Sequence, residues 1–179
     1  STTYYQGEKG DEVSDYSSNY RVGATNVKNT SVFIYGTTEF ARAISAGTEL
    51  AMSRSLSYKG DVPPESATEA FYVGGAIAVT DQLQSETYYA GAFRGDEIAH
   101  YAYNMRLSTT SVRNVSVYYY DNKTAVEEGV STETAMNMSK TFKTDDISKI
   151  VDVTAPAGWN LQSTTYYQGE KGDEVSDYS

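Results

Sequence analysis

Apolar and polar side chains alternate with a period of two along most of the chain, the pattern of a strand with one covered face. Between Ser14 and Val27, Tyr16, Tyr20, Val22 and Ala24 fall on one side and Asp15, Asn19, Arg21 and Thr25 on the other. Thr30–Tyr35 is a short apolar run. From Ala46 to Tyr58, Leu50, Met52, Leu56 and Tyr58 share a face that Arg54 interrupts, opposite Ser53, Ser55 and Ser57, and Lys59–Pro64 (KGDVPP) breaks the pattern. Glu69–Thr80 (EAFYVGGAIAVT) is apolar or small on both sides and predicts a core strand that buries Phe71, Val73, Ile77 and Val79 together.

Glu86–Arg94 and Ala99–Leu107 flank a turn at Gly95-Asp96, and Val112–Tyr120 ends at Asp121-Asn122. Thr124–Lys143 alternates in part, and Ile147–Val153 closes the series. Roughly eight to ten strands with turn signals every ~8–12 residues predict an all-β fold, an antiparallel β-sandwich of immunoglobulin-like or jelly-roll-like type.

Composition agrees with strands. Leu occurs 5 times against 41 Val, Ile and Thr residues, and the β-branched types favour the extended backbone. Leu, Ile, Val and Phe make up only 31 of 179 residues beside a net charge of −10, a balance that borders on disorder. The 17 Tyr residues offset it, being large side chains that supply burial the aliphatics do not.

With no Cys and one His, thiolate metal sites and the common histidine-based catalytic sets drop out, and no enzyme is expected. A pI near 4.5 opposes binding to nucleic acid or to anionic membrane surfaces. No apolar run reaches the length of a membrane helix, and a mean hydropathy of −0.52 with Arg54, Arg94, Arg106 and Arg113 punctuating the strands opposes a membrane barrel. The chain opens at Ser1 rather than Met, as a processed or trimmed polypeptide would.

Residues 1–17 and 163–179 are identical, STTYYQGEKGDEVSDYS. Chance does not produce such a repeat. It divides the chain into a terminal segment (1–17), a β-sandwich body (18–162) and a second copy (163–179) able to complete a sheet in cis. Tyr4, Tyr5, Val13 and Tyr16, with Tyr166, Tyr167, Val175 and Tyr178, are the candidate assembly residues, placed on two short strands, Thr2–Gln6 and Glu12–Tyr16, around a charged Gly-rich turn. In a closed domain only one edge exists for such a strand. The two copies are therefore expected to be inequivalent, one paired with the body and the other free or bound to a neighbour.

Asn29, Asn114, Asn122 and Asn137 stand in N-x-S/T sequons, candidate glycan acceptors of a secreted protein. Asp11, Glu12 and Asp15, and Asp145 with Asp146, offer oxygens to Ca²⁺ without the spacing of a recognised calcium loop, and no other cofactor is expected. Glu127, Glu128 and Asp61 carry no glycosidase signature. His100 shares a strand face with Ala102, Asn104 and Arg106, the wetter one. Tyr88-Tyr89 and Tyr118–Tyr120 are either cross-strand packing or a stacking platform for sugars.

The absence of cysteine, the Thr- and Val-rich alternation and the strand-length terminal segment resemble donor-strand fimbrial and pilus subunits. The likeness is architectural and rests on no family-specific motif. It implies a structural subunit of a surface filament or adhesin, secreted or at the cell surface, whose partners are copies of itself in a linear homopolymer, with glycans as further candidate partners. The alternatives are a carbohydrate- or small-ligand-binding β-barrel with a Tyr-lined site, and one repeat of a covalent tandem-repeat adhesin.

Overall fold

The computed structural model describes residues 1–36, 41–62, 82–107, 109, 111–147, 150 and 160–179. The expected core strand at Glu69–Thr80 lies outside them, as does most of Ile147–Val153. Among the described residues eleven strands form: β1 (Thr2–Gln6), β2 (Val13–Tyr20), β3 (Val27–Tyr35), β4 (Met52–Lys59), β5 (Leu83–Ala90), β6 (Ile98–Met105), β7 (Val112–Tyr120), β8 (Lys123–Thr124), β9 (Met136–Phe142), β10 (Leu161–Gln168) and β11 (Val175–Tyr178). The all-β class stands, with 54% of the described residues in strands and almost no helix among them.

A sandwich is not shown among the described residues. All the strands belong to one open antiparallel sheet that follows chain order, β1-β2-β3-β4-β5-β6-β7-β9-β10-β11, with β8 appended to β7. Alternating strands need cover, and here the connections supply it in place of a second sheet. On one face Val32, Ile34, Leu56, Tyr58, Leu83 and Met105 form a core with Val62, from the segment after β4. That core continues through Tyr103 and Val112 into Val115, Val117, Tyr119, Met138 and Phe142, against which Ile147 and Ile150 pack. On the other face the β3–β4 connection lays Ala43 and Ala46 over Val13, Phe33 and Tyr35, and the β7–β9 connection lays Ala125 and Val130 over Ile98, Tyr118 and Tyr120.

Buried tyrosines make the fold sensitive to alkali. Burial pushes the Tyr35 and Tyr101 hydroxyls up to about 12, and it raises those of Tyr58, Tyr88 and Tyr120 further. The unfolded chain ionises tyrosine near pH 10, so their contribution to stability is complete below that pH and is lost as pH climbs toward the folded values. Circular dichroism and tyrosinate absorbance followed together should show the strand signal collapsing above pH ~10. A strand signal that persists unchanged above pH ~12 would contradict this burial.

Candidate assembly interface

Both copies of STTYYQGEKGDEVSDYS pair with the body, one at each edge of the sheet, which corrects the expectation that one copy would be left free; they stay inequivalent in position, the first joining the body through β2 on β3 and the second through β10 on β9. An open sheet has two edges where a closed domain would leave one. Each copy contributes the same hairpin: Tyr4 opposes Tyr16, Tyr5 opposes Ser14 and Gln6 opposes Val13, while Tyr166 opposes Tyr178, Tyr167 opposes Ser176 and Gln168 opposes Val175. The bulge falls between the two tyrosines in each. Ring stacking repeats too, at 4.3 Å between Tyr4 and Tyr16 and 4.6 Å between Tyr166 and Tyr178. Strands β2 and β10 run across the 17/18 and 162/163 boundaries, so neither copy ends at a structural break.

A third hairpin of the same kind lies mid-sheet. In β5–β6, Tyr88 opposes Tyr101, Tyr89 opposes Ala99 and Ala90 opposes Ile98, with the bulge again between the tyrosines and the Tyr88 and Tyr101 rings stacked at 4.7 Å. The turns obey one rule. A Cβ at Gly7 would stand 2.6 Å from the Asp11 carbonyl oxygen and one at Gly91 2.7 Å from that of Asp96, each at positive φ, so only glycine fits. The glutamate after each Gly-Asp folds back to accept an amide hydrogen bond: Gly10 to Glu12 at 2.9 Å, Gly95 to Glu97 at 2.8 Å and Gly172 to Glu174 at 2.9 Å.

This equivalence exposes an internal repeat of about 80 residues. TYYQGEKGDEV at 3–13 matches TYYAGAFRGDEI at 87–98, with one residue added in the turn. VKNTSVFIY at 27–35 matches VRNVSVYYY at 112–120, and TELAMSRS at 48–55 matches TETAMNMS at 132–139. LQSETYYAG at 83–91 then recurs as LQSTTYYQG at 161–169. The sheet is therefore two four-strand units, β1–β4 and β5, β6, β7 and β9, followed by the opening hairpin of a third. These matches were present in the sequence. The exact terminal repeat overshadows the inexact internal one, whose spacing drifts between 84 and 85 and then to 78.

Where one unit meets the next, the outer edge of a hairpin pairs with the last strand of the preceding unit. The two such seams share a register. Ser55 faces Thr87 and Tyr58 faces Leu83 between β4 and β5, as Ser139 faces Thr165 and Phe142 faces Leu161 between β9 and β10. Side chains bridge both seams alike. The Met52 amide donates to Glu97 Oε1 at 2.9 Å and the Met136 amide to Glu174 Oε1 at 3.1 Å. The Ser55 and Tyr89 hydroxyls stand 3.1 Å apart, and those of Ser139 and Tyr167 3.2 Å. Desolvation raises the Glu174 carboxyl, but amide donors at Glu174, Met136 and Gly172 outweigh it and hold the group below its ordinary value.

The seams differ in charge. Between β4 and β5, Arg54 donates to Glu86 at 2.9 Å, and its guanidinium lies 4.5 Å from the Tyr88 ring centroid. Glu86 is only 2% exposed. Between β9 and β10, Met138 holds the place of Arg54 and Thr164 that of Glu86.

Burial separates the remaining sequence candidates. Val13 is 4% exposed and its counterpart Ile98 6%, but Val175 is 68% exposed, because no β3-type strand and covering loop follow β11. Asp15 is a salt-bridge partner, its two carboxylate oxygens taking Arg42 Nε at 2.9 Å and Nη2 at 2.6 Å. Among the described residues no group of three metal-capable side chains assembles. Asn114 is buried in β7 with its amide nitrogen donating to Gln162, which leaves no opening for a glycan in the folded chain. Asn29 is half-buried with its amide oxygen enclosed, Asn137 donates to Asn122 at 3.1 Å, and Asn122 is exposed at a positive φ. His100 packs edge-on to Tyr101, and burial lowers its pKa. Tyr88, Tyr101 and Tyr103 pack ring on ring across β5 and β6.

The chain matches no protein-family model, no curated protein and no solved structure.

The unlike seams give a direct test. Arg54→Met should destabilise the chain by ~3–5 kcal/mol, because it leaves Glu86 buried without its cation. Adding Glu86→Thr, which copies the second seam, should restore most of that loss in thermal or denaturant unfolding. A double variant no more stable than Arg54→Met would show that the charge pair is not the difference between the seams.

Proposed function

We propose that this chain is a structural element of an extracellular surface filament or adhesin, built by continuing one β-sheet from copy to copy. The observation that carries the reading is the identical hairpin at both edges of an open sheet, held in one register and one stacking geometry. What β10–β11 does for the β9 edge in cis, the β1–β2 hairpin of another copy is chemically equipped to do in trans. Pairing of this kind is head-to-tail and does not close, so it yields linear assemblies. An exposed Asn122 at the head of a sequon and the acidic composition suit a secreted setting.

The internal repeat favours a second form of the same idea, in which successive units are covalently joined and each seam lies within one polypeptide, as in a tandem-repeat adhesin. The chemistry of the seam is the same in both forms.

A chain ending at Gln162 tests the reading. It uncovers the β9 edge while keeping β1, and it should form linear polymers whose length grows with concentration, whereas the 179-residue chain stays monomeric. Light scattering and electron microscopy read the difference. A shortened chain that stays monomeric at high concentration, and that melts no lower than the full one, would remove strand complementation as the mode of assembly.

A further inference from the structure

Two hairpins inside the chain show what the outer edge of this hairpin pairs with, and a third presents the same edge uncovered. β5 receives β4, and β10 receives β9, but among the described residues β1 pairs with β2 alone. The side-chain groups that bridge the seams are in place on β1–β2. Glu12 corresponds to Glu97 and Glu174, and it holds the Gly10 amide through Oε2 as they hold those of Gly95 and Gly172. Tyr5 corresponds to Tyr89 and Tyr167 and is 58% exposed.

We infer that the outer edge of β1 is a binding site for the β9 strand of a second copy of this chain, and that it discriminates against β4. The first half follows from identity. Residues 1–17 and 163–179 share sequence and hairpin fold, so a strand that pairs with Ser163–Tyr166 of β10 meets the same residues on β1, without the Leu161–Phe142 pair. In that pairing the Met136 amide of the second copy meets the Glu12 carboxylate, and its Ser139 hydroxyl meets that of Tyr5, as they meet Glu174 and Tyr167 within one chain.

The discrimination follows from charge. β4 carries Arg54, half of an ion pair whose other half, Glu86, is replaced by Thr2 in the terminal hairpin. Laying β4 on β1 would take a guanidinium from its carboxylate and set it against a hydroxyl, which is costly where the surroundings are desolvated. β9 carries Met138 there and loses nothing. The pair thus acts as a parity mark, confining contact between copies to every second unit.

This inference rests on the assembly reading above but is tested separately. The isotope-labelled 179-residue chain is titrated with a synthetic peptide of residues 134–144, containing β9, and in parallel with one of residues 50–60, containing β4. The β9 peptide should shift the amide signals of Thr2–Gln6 and Glu12, and the β4 peptide should bind these at least tenfold more weakly. Tyr5→Phe should weaken the β9 peptide about fivefold, the equivalent of one hydrogen bond. Because the chain has no cysteine, Thr3→Cys in the protein and Ser139→Cys in the peptide should trap one disulfide. Equal binding of the two peptides, shifts confined to Val175–Tyr178, or failure of the trap would overturn the inference. Peptide binding at β1 with a shortened chain that stays monomeric would instead count against assembly and leave the edge site standing.

Discussion

The structure depends on one constraint, that an edge strand carries a row of backbone donors and acceptors which must find partners. In a barrel the sheet meets itself, and among the described residues of this chain it does not. Each four-strand unit ends on a strand that the next hairpin covers, and the second and third hairpins present edges that the preceding unit covers. The constraint is met locally at every seam and never globally, so a sheet of this design is bounded only by where its units stop.

Holding such a sheet as a single layer requires cover for both faces. Few aliphatics are available, and tyrosine takes their place. The stacked pairs Tyr4–Tyr16, Tyr88–Tyr101 and Tyr166–Tyr178 mark the same point of each hairpin. Hydroxyls of Tyr35 and Tyr120 reach main-chain carbonyls at Ser14 and Ala99, at 2.6 Å and 2.8 Å. Large apolar area with a polar tip suits a thin layer, where the far end of a side chain meets either backbone or water. The connections that cover the second face are also equivalent, so every unit brings its own lid.

Between units the shared geometry would permit any hairpin to follow any last strand. A half-buried Arg and a buried Glu narrow that freedom. Arg54 and Glu86 are costly to bury and more costly to separate, and their replacement by Met138 and Thr164 at the next seam distinguishes odd junctions from even ones. Backbone pairing supplies the strength of the seam and the ion pair supplies its selectivity.

Among the described residues strand character was legible over much of the chain, because period two follows from the backbone itself, although Ser14–Val27, read as one strand, breaks after Tyr20 into an exposed turn before β3. Val112–Tyr120 and Thr2–Gln6 were placed to the residue, whereas the strand read at Glu12–Tyr16 runs over Val13–Tyr20, past the end of the repeated segment. Nor was Ala46–Tyr58 so placed, since its first residues alternate as a strand would but pack as a loop across Tyr35, a contact distant in sequence. Alternation reports that a face is covered and not what covers it. A sandwich and a single sheet lidded by its own connections therefore read alike, and only tertiary packing chose between them. The terminal repeat was plain in the sequence, yet its meaning depended on the number of free edges, a property of the assembled sheet. That the two copies fold as one hairpin, and that Glu12 and Tyr5 occupy the places of Glu97 and Tyr89, was decided by strand order in space, where residues about 80 positions apart fall into the same geometry.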